Sequence, residues 1–234
     1  MGFDLLPSAL YFGEIMRIVS EGWIFILGIP AVSAALAAGA MALSWPVAAI
    51  GLSALGAIGL AFMLWFFRDP ERKAPEGEGL IVSGADGRVR RVERLEEVEG
   101  FDGAVTRISV YLTPWDVHVN RTPCHGEVDH LDYVPGRHIL TAKDEASEVN
   151  EHSVIRIQGD VTCVVHQIVG PLVRRVVYWF KVGQQVGRGE RLGLMKFGSR
   201  LDVYLPADAV DVSVAPGEKV YAGLTVMAQV KGQK

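Results

Sequence analysis

The sequence predicts a mainly β protein in which an N-terminal transmembrane helical hairpin precedes a barrel-sandwich-like β domain. Three observations predict it. Residues 23–67 contain no charged side chain. From about residue 78 the composition turns to short valine-rich stretches separated by glycine and proline, which is the pattern of an all-β domain. Within that part a Gly-x-x-Val-x-x-Gly pattern occurs twice, at residues 183–189 and 217–223, each followed by an apolar strand pattern. With 234 residues, half of them hydrophobic, the chain has room for one globular domain and a smaller part.

The elements follow in order. Residues 1–20 form an amphipathic N-terminal segment, because Leu, Tyr, Phe and Ile between positions 3 and 20 are mixed with Glu14 and Arg17; such a segment lies along a membrane surface. Residues 21–70 form a two-helix membrane anchor. A bilayer crossing takes about 20 apolar residues, so the uncharged run divides into helices near 23–43 and 47–67 with a turn at Ser44, Trp45 and Pro46. A buried hairpin of a soluble core rarely runs this long without charge, and a cleaved signal peptide is a single, shorter apolar region. Arg17 precedes the run, Arg68, Arg72 and Lys73 follow it, and the turn is uncharged. Both ends are therefore expected on the cytoplasmic side.

Residues 71–234 form the β domain, with strands expected at 87–93, 105–112, 126–133, 153–157, 161–168, 173–180, 200–205 and 210–214. In the repeat, glycines supply turns at positive φ and the valines Val186 and Val220 point into the core. A second echo sets Asp86-Gly87-Arg88-Val89 against His125-Gly126-Glu127-Val128. Cys124 and Cys163 give neither a disulfide framework nor the paired spacing of a zinc site. The six histidines lack HxxxH or HExxH spacing, so no metal is expected. A net charge of −4 and the short pairs Arg90-Arg91 and Arg174-Arg175 do not make the basic tract of a nucleic-acid binder.

Chemistry concentrates near the C-terminus. The Gly198-Ser199 bond between two strand patterns has two readings. It is an ordinary turn, or a self-cleavage site in which the serine hydroxyl attacks the glycine carbonyl, converts the amide to an ester and then eliminates. A rival use of the same region is Leu194-Met195-Lys196 after a glycine-rich hairpin, similar to the modified lysine of biotinyl and lipoyl carrier domains, which would make the protein a membrane-tethered carrier or adaptor. Phe197 stands where biotinyl domains usually repeat methionine, and Gly198-Ser199 has no role in a carrier. Asp86 lies at an Asp-Gly turn, and His118 lies in a Val-His-Val pattern beside Arg121; each also has a purely structural reading.

The combination of the apolar anchor, Ala85-Asp86-Gly87, the stretch from Asp116 through His118, Arg121 and Pro123 to Gly126, Tyr133-Val-Pro-Gly136, Gln167-Ile-Val-Gly170, Arg174-Arg175 and Phe197-Gly198-Ser199 resembles phosphatidylserine decarboxylase in its short, membrane-anchored bacterial and archaeal form. The resemblance covers the chain from about residue 65 onward. It implies a zymogen that cuts itself between Gly198 and Ser199 into a β chain of residues 1–198 and an α chain of residues 199–234. The cofactor would be a covalent pyruvoyl group made from Ser199. The substrate would be phosphatidylserine, converted to phosphatidylethanolamine and CO₂ through an imine with its amine. The location would be the inner cell membrane with the β domain facing the cytoplasm, and a homo-oligomer is the ordinary expectation. Asp86 matches the aspartate needed for maturation. His118 matches the first histidine of an HxxH element, the one associated with decarboxylation. Arg121 stands in place of the second, which leaves the self-processing base open between His118 and His166, and Arg200 stands where the long form usually has threonine.

Overall fold

The computed structural model describes residues 11–12, 16–141, 143, 145–171, 176–195 and 199–233. The chain divides into two compact units, residues 1–71 and 72–234.

In the first unit, strands β1 (Tyr11–Phe12), β2 (Met16–Ile18) and β3 (Arg68–Pro70) form a small antiparallel sheet in that order. The expected amphipathic segment is, where its residues are described, mostly extended chain. The physical reason is that β2 has a backbone partner, with Arg17 opposite Asp69 and Ile18 opposite Arg68. The remaining residues of that segment lie outside the described ones. A short 3₁₀ turn, Ser20–Gly22, leads into α1 (Trp23–Ala42), which is followed by α2 (Pro46–Phe66).

The turn between the helices is built from the Ser44-Trp45-Pro46 signal. Ser44 adopts φ 60°, its N–H reaches the Met41 carbonyl at 2.9 Å, and Trp45 N–H reaches the Ala40 carbonyl at 2.8 Å. This is the Schellman pattern of a helix C-terminus. Pro46 then occupies the first turn of α2, where its missing N–H costs nothing. The helices return antiparallel through small residues: Ala37 and Ala40 pack with Ala49, a Cβ on Gly56 would strike Ser33, and Ser33 Oγ donates to the Leu52 carbonyl at 2.5 Å. Small residues at such a seam let backbones approach closely, as in membrane helix pairs. Their outward positions remain apolar and exposed, Ile24, Leu27, Val47 and Ile50 among them. Both helices are long and apolar enough to cross a membrane.

The second unit is mainly β. Its strands are β4 (Leu80–Val82), β5 (Gly87–Leu95), β6 (Val105–Tyr111), β7 (Val119–Arg121), β8 (Gly126–Val134), β9 (His152–Gln158), β10 (Thr162–Ile168), β11 (Val176–Tyr178), β12 (Gln185–Val186), β13 (Arg191–Met195), β14 (Arg200–Pro206), β15 (Val210–Val212), β16 (Lys219–Val220) and β17 (Val226–Val230), with a one-turn helix α3 (Ala146–Val149) before β9. Eight of these form one sheet in the order β12-β8-β9-β10-β14-β6-β5-β16; β11-β13-β7 and β15-β17-β4 form two three-stranded sheets. Ile108, Val110, Ile155, Ile157, Val165, Leu201 and Val203 alternate along the large sheet and fill the core together with Leu192, Met195 and Met227.

The two repeats noticed in the sequence are joined to each other in space. Val220 pairs with Gly87 and Val186 pairs with Gly126, so each Gly-x-x-Val-x-x-Gly turn closes against one copy of the second echo, at opposite edges of the large sheet. Equivalent hydrogen bonds recur: Gly217 N–H to Val89 O and Gly183 N–H to Val128 O, then Gly223 N–H to Ser83 O and Gly189 N–H to Thr122 O. Val186 and Val220 are buried. All four repeat glycines have φ between 74° and 95°, where L side chains are strained.

Candidate active site

Ser199 immediately precedes β14, and its position follows from strand register. Both β5 and β14 pair with β6, and both Arg88 and Arg200 lie opposite Tyr111. The residues just before those strands, Asp86 and Ser199, therefore flank the same end of β6. Two strand spacings, roughly 10 Å, separate their strands. Leu112, the next residue of the central strand, donates its N–H to the Ser199 carbonyl at 3.0 Å. Ser199 is fully buried, and its Oγ meets no hydrogen-bond partner among the described residues. A buried hydroxyl normally finds a partner, so this orphaned group is a candidate for the site. Gly198, Phe197 and Lys196 lie outside the described residues.

His118 is held at the other end of that undescribed tripeptide. Its carbonyl accepts a hydrogen bond from Met195 N–H at 3.3 Å, and Met195 is the last residue of β13. The loop that delivers it is self-tied: Asp116 Oδ2 accepts from Thr113 N–H and Thr113 Oγ1, both at 2.8 Å, and Asp116 Oδ1 is bonded by Lys219 Nζ. Burial works against the Asp116 carboxylate, yet Lys219 and the two Thr113 donors outweigh it and hold the carboxyl below its ordinary value. His118 is fully buried with Nδ1 2.9 Å from the Asp116 carbonyl oxygen. A carbonyl only accepts, so Nδ1 carries the proton, and in the neutral ring Nε2 is the basic nitrogen.

Asp86 is fixed from two directions. Arg72 meets it as a two-pronged ion pair at 2.5 and 2.9 Å, and Ala222 N–H donates to Oδ1 at 2.8 Å. Arg72 also donates to the Ala222 carbonyl at 2.9 Å. A Cβ on Gly87 would run into the Tyr111 carbonyl, so glycine is what lets the Asp86 turn close onto β6. The spacing of Arg72 and Asp86 carries no sequence signal, and sequence reasoning missed this partner. It also missed the buried amide chain beside His118. There Ser153 Oγ donates to Gln167 Oε1 at 3.0 Å and Gln167 Nε2 donates to Asn120 Oδ1 at 2.8 Å, tying β7 to β10 close to Leu201, which lies opposite Gln167.

Arg121 fills the space between the two repeat turns. Its Nη1 donates to the Gly189 carbonyl at 2.9 Å, and a Cβ on Gly223 would strike its side chain. His166 lies opposite Asp202, three residues along β14 from Ser199. Its ring stacks between His152 and Tyr204, with centroids 4.8 and 4.6 Å away. Burial, helped by His152 and Arg107, lowers its pKa to about 3, which leaves it neutral and weakly basic. The residue as a whole is half-buried, while Nδ1 is enclosed. Among the described residues no cluster of His, Cys, Asp or Glu fits a metal ion. Cys124 and Cys163 are buried free thiols.

A buried serine whose hydroxyl has no partner among the described residues, a histidine with one basic nitrogen enclosed, and a clamped carboxylate, set around a strand end, suit acyl-shift and proton-transfer chemistry. The sequence profile described as phosphatidylserine decarboxylase matches residues 60–228. The chain belongs to the phosphatidylserine decarboxylase family. It is 43% identical over 218 residues to a phosphatidylserine decarboxylase proenzyme of Symbiobacterium thermophilum, covering 91% of this chain and 95% of that one. Proenzymes of Solibacter usitatus and Zymomonas mobilis are 38% and 44% identical over 215 and 177 residues. The first alignment covers 92% of this chain and 97% of the relative, the second 72% of each. The carrier alternative built on Lys196 finds no support among these phosphatidylserine decarboxylase relatives.

Proposed function

We propose that this chain is a phosphatidylserine decarboxylase proenzyme that cuts itself between Gly198 and Ser199 and then converts phosphatidylserine to phosphatidylethanolamine and CO₂. The single observation that carries the reading is the buried Ser199 Oγ with no hydrogen-bond partner among the described residues, in a chain of this family. Ser199 Oγ attacks the Gly198 carbonyl, the amide becomes an ester, and elimination followed by loss of ammonia leaves a pyruvoyl group at the head of the α chain (199–234), beside the β chain (1–198). The residues present fit that group, because the side chain to be converted is enclosed and engaged by nothing else described. At the position of Ser199 a pyruvoyl group would supply a carbonyl for the substrate amine and an electron sink for the pair released with CO₂.

The chain's own residues supply the rest. His118, fixed through Nδ1, accepts and returns a proton at Nε2, and protonates the carbon that loses CO₂. It also serves self-processing, since the place of the second histidine is taken by Arg121, whose guanidinium is engaged with Gly189. His166 is the weaker candidate base because of its lowered pKa. Asp86, clamped by Arg72 and Ala222, maintains a fixed negative charge at the strand end during maturation. The two apolar helices cross the inner membrane with both ends in the cytoplasm, as Arg17, Arg68, Arg72 and Lys73 direct. The assembly is a homo-oligomer.

Intact-mass measurement tests the reading. Two chains divided at 198/199, with an α chain lacking ammonia at its head, are expected. A single chain bearing an adduct on Lys196 would overturn it.

A further inference from the structure

Of the seven large hydrophobic side chains exposed among the described residues of 72–234, four sit on loops next to the proposed catalytic groups. Trp115 is 67% exposed, Leu140 60%, Tyr221 47% and Leu224 42%. Trp115 precedes Asp116, whose carbonyl orients His118. Tyr221 and Leu224 bracket the turn in which Ala222 N–H holds Asp86, and Leu224 N–H closes that turn on the Tyr221 carbonyl at 3.1 Å. Leu140 precedes Thr141, whose carbonyl accepts from Arg200 at 3.2 Å. The first two loops are tied together: Lys219 Nζ bonds Asp116 and sits 5.8 Å from the Tyr221 ring centroid. Arg88, exposed beside Lys219 across the β5–β16 pair, adds a positive charge.

We propose that residues 113–116 and 221–224 form a docking rim that dips into the headgroup region of an anionic bilayer and seats the β domain over its lipid substrate. The proposal rests on the decarboxylase reading, which makes the substrate a lipid whose reacting amine lies at the membrane surface. Tryptophan and tyrosine are the residues that favour that depth, and neighbouring basic side chains are drawn to anionic lipid. The rim and the catalytic groups share the same loops. Insertion therefore brings the headgroup to His118 and Ser199 without lifting the acyl chains out of the bilayer.

The test uses the full chain reconstituted in phosphatidylcholine vesicles containing phosphatidylglycerol and a spin-labelled lipid. A fluorophore is attached through Trp115→Cys, through Leu224→Cys, and through Asp208→Cys as a control on the turn beyond the far end of β14. Spin-label quenching at positions 115 and 224, with none at 208, is expected. Equal quenching at all three positions, or at none, overturns the proposal. As a second measurement, Trp115→Ala with Leu224→Ser should lower turnover of vesicle phosphatidylserine about tenfold and leave turnover of a short-chain soluble analogue unchanged. Equal loss on both substrates also overturns it. Self-cleavage and turnover of the soluble analogue report on the decarboxylase reading separately, so the two failures are distinguishable.

Discussion

Arg200, the residue after Ser199, is among the largest fully buried side chains of the described residues. Its Nε lies 3.1 Å from Asp202 Oδ1. Its Nη1 donates to the carbonyls of Thr141 and Lys143 at 3.2 and 3.1 Å, and Nη2 bonds Ser147 Oγ, which itself donates to Asp202 at 2.5 Å. Arg200→Met removes every one of these donors and leaves Asp202 buried without its direct counter-ion. Breaking one partner of a buried pair costs about 3–5 kcal/mol. Arg107 still acts electrostatically on Asp202, which argues for the lower end, about 3 kcal/mol. For a chain of this size that lowers Tm by roughly 6–12 °C. The assay is thermal unfolding of the full chain in a Ser199→Ala background, so that a single uncleaved chain is compared throughout. Arg200→Met with Asp202→Asn should recover part of the loss, because the uncompensated charge is gone. Arg200→Lys should fall between, keeping the charge but not the planar fork that reaches two carbonyls. An Arg200→Met variant within about 1 kcal/mol of the parent would refute the argument. So would a double variant no more stable than the single one.

Three further outcomes are expected. His118→Ala should stay as one chain on a denaturing gel and so show no turnover, because the base proposed for both steps is gone; a cleaved chain with full turnover would remove His118 from the site. Arg72→Met should slow the appearance of the α chain by freeing Asp86, and Arg72→Lys should restore part of the rate; cleavage at the parental rate would detach the Arg72–Asp86 pair from maturation. His166, neutral in the fold with a pKa of about 3 against 6.5, binds fewer protons folded than unfolded. Its contribution is thus present above the unfolded value and lost as pH falls from about 6.5 toward 3. His166→Phe should flatten that acid loss in urea midpoints measured at neutral and acid pH, by less than the full linkage because the residue is only half-buried. An unchanged slope would show that the ring is not held neutral.

Strands bounded by glycine and proline were legible in the sequence: 105–112 and 126–133 are expected, and Val105–Tyr111 and Gly126–Val134 are found. β12 and β16, two residues each, are too short to alternate, and β13 is buried almost throughout, so its pattern has no polar phase to read. Ser199, His118 and Asp86 were legible as chemistry-bearing residues. The ties around them were not, because Arg72 reaches Asp86, Lys219 reaches Asp116 and Gln167 reaches Asn120 from distant parts of the chain, where sequence spacing has no fixed meaning. Arg121 shows how the two kinds of information combine. Read along the chain, it is a substitution at a histidine position, an apparent loss of a base. In the fold it stands where the two repeats converge, bonded to Gly189 and packed under Gly223, the closing glycines of the two copies. A side chain long enough to bridge both turns is required there, and an imidazole would be too short to do so. Exchange of Arg121 for histidine would thus open the seam between the repeats before it could restore a base.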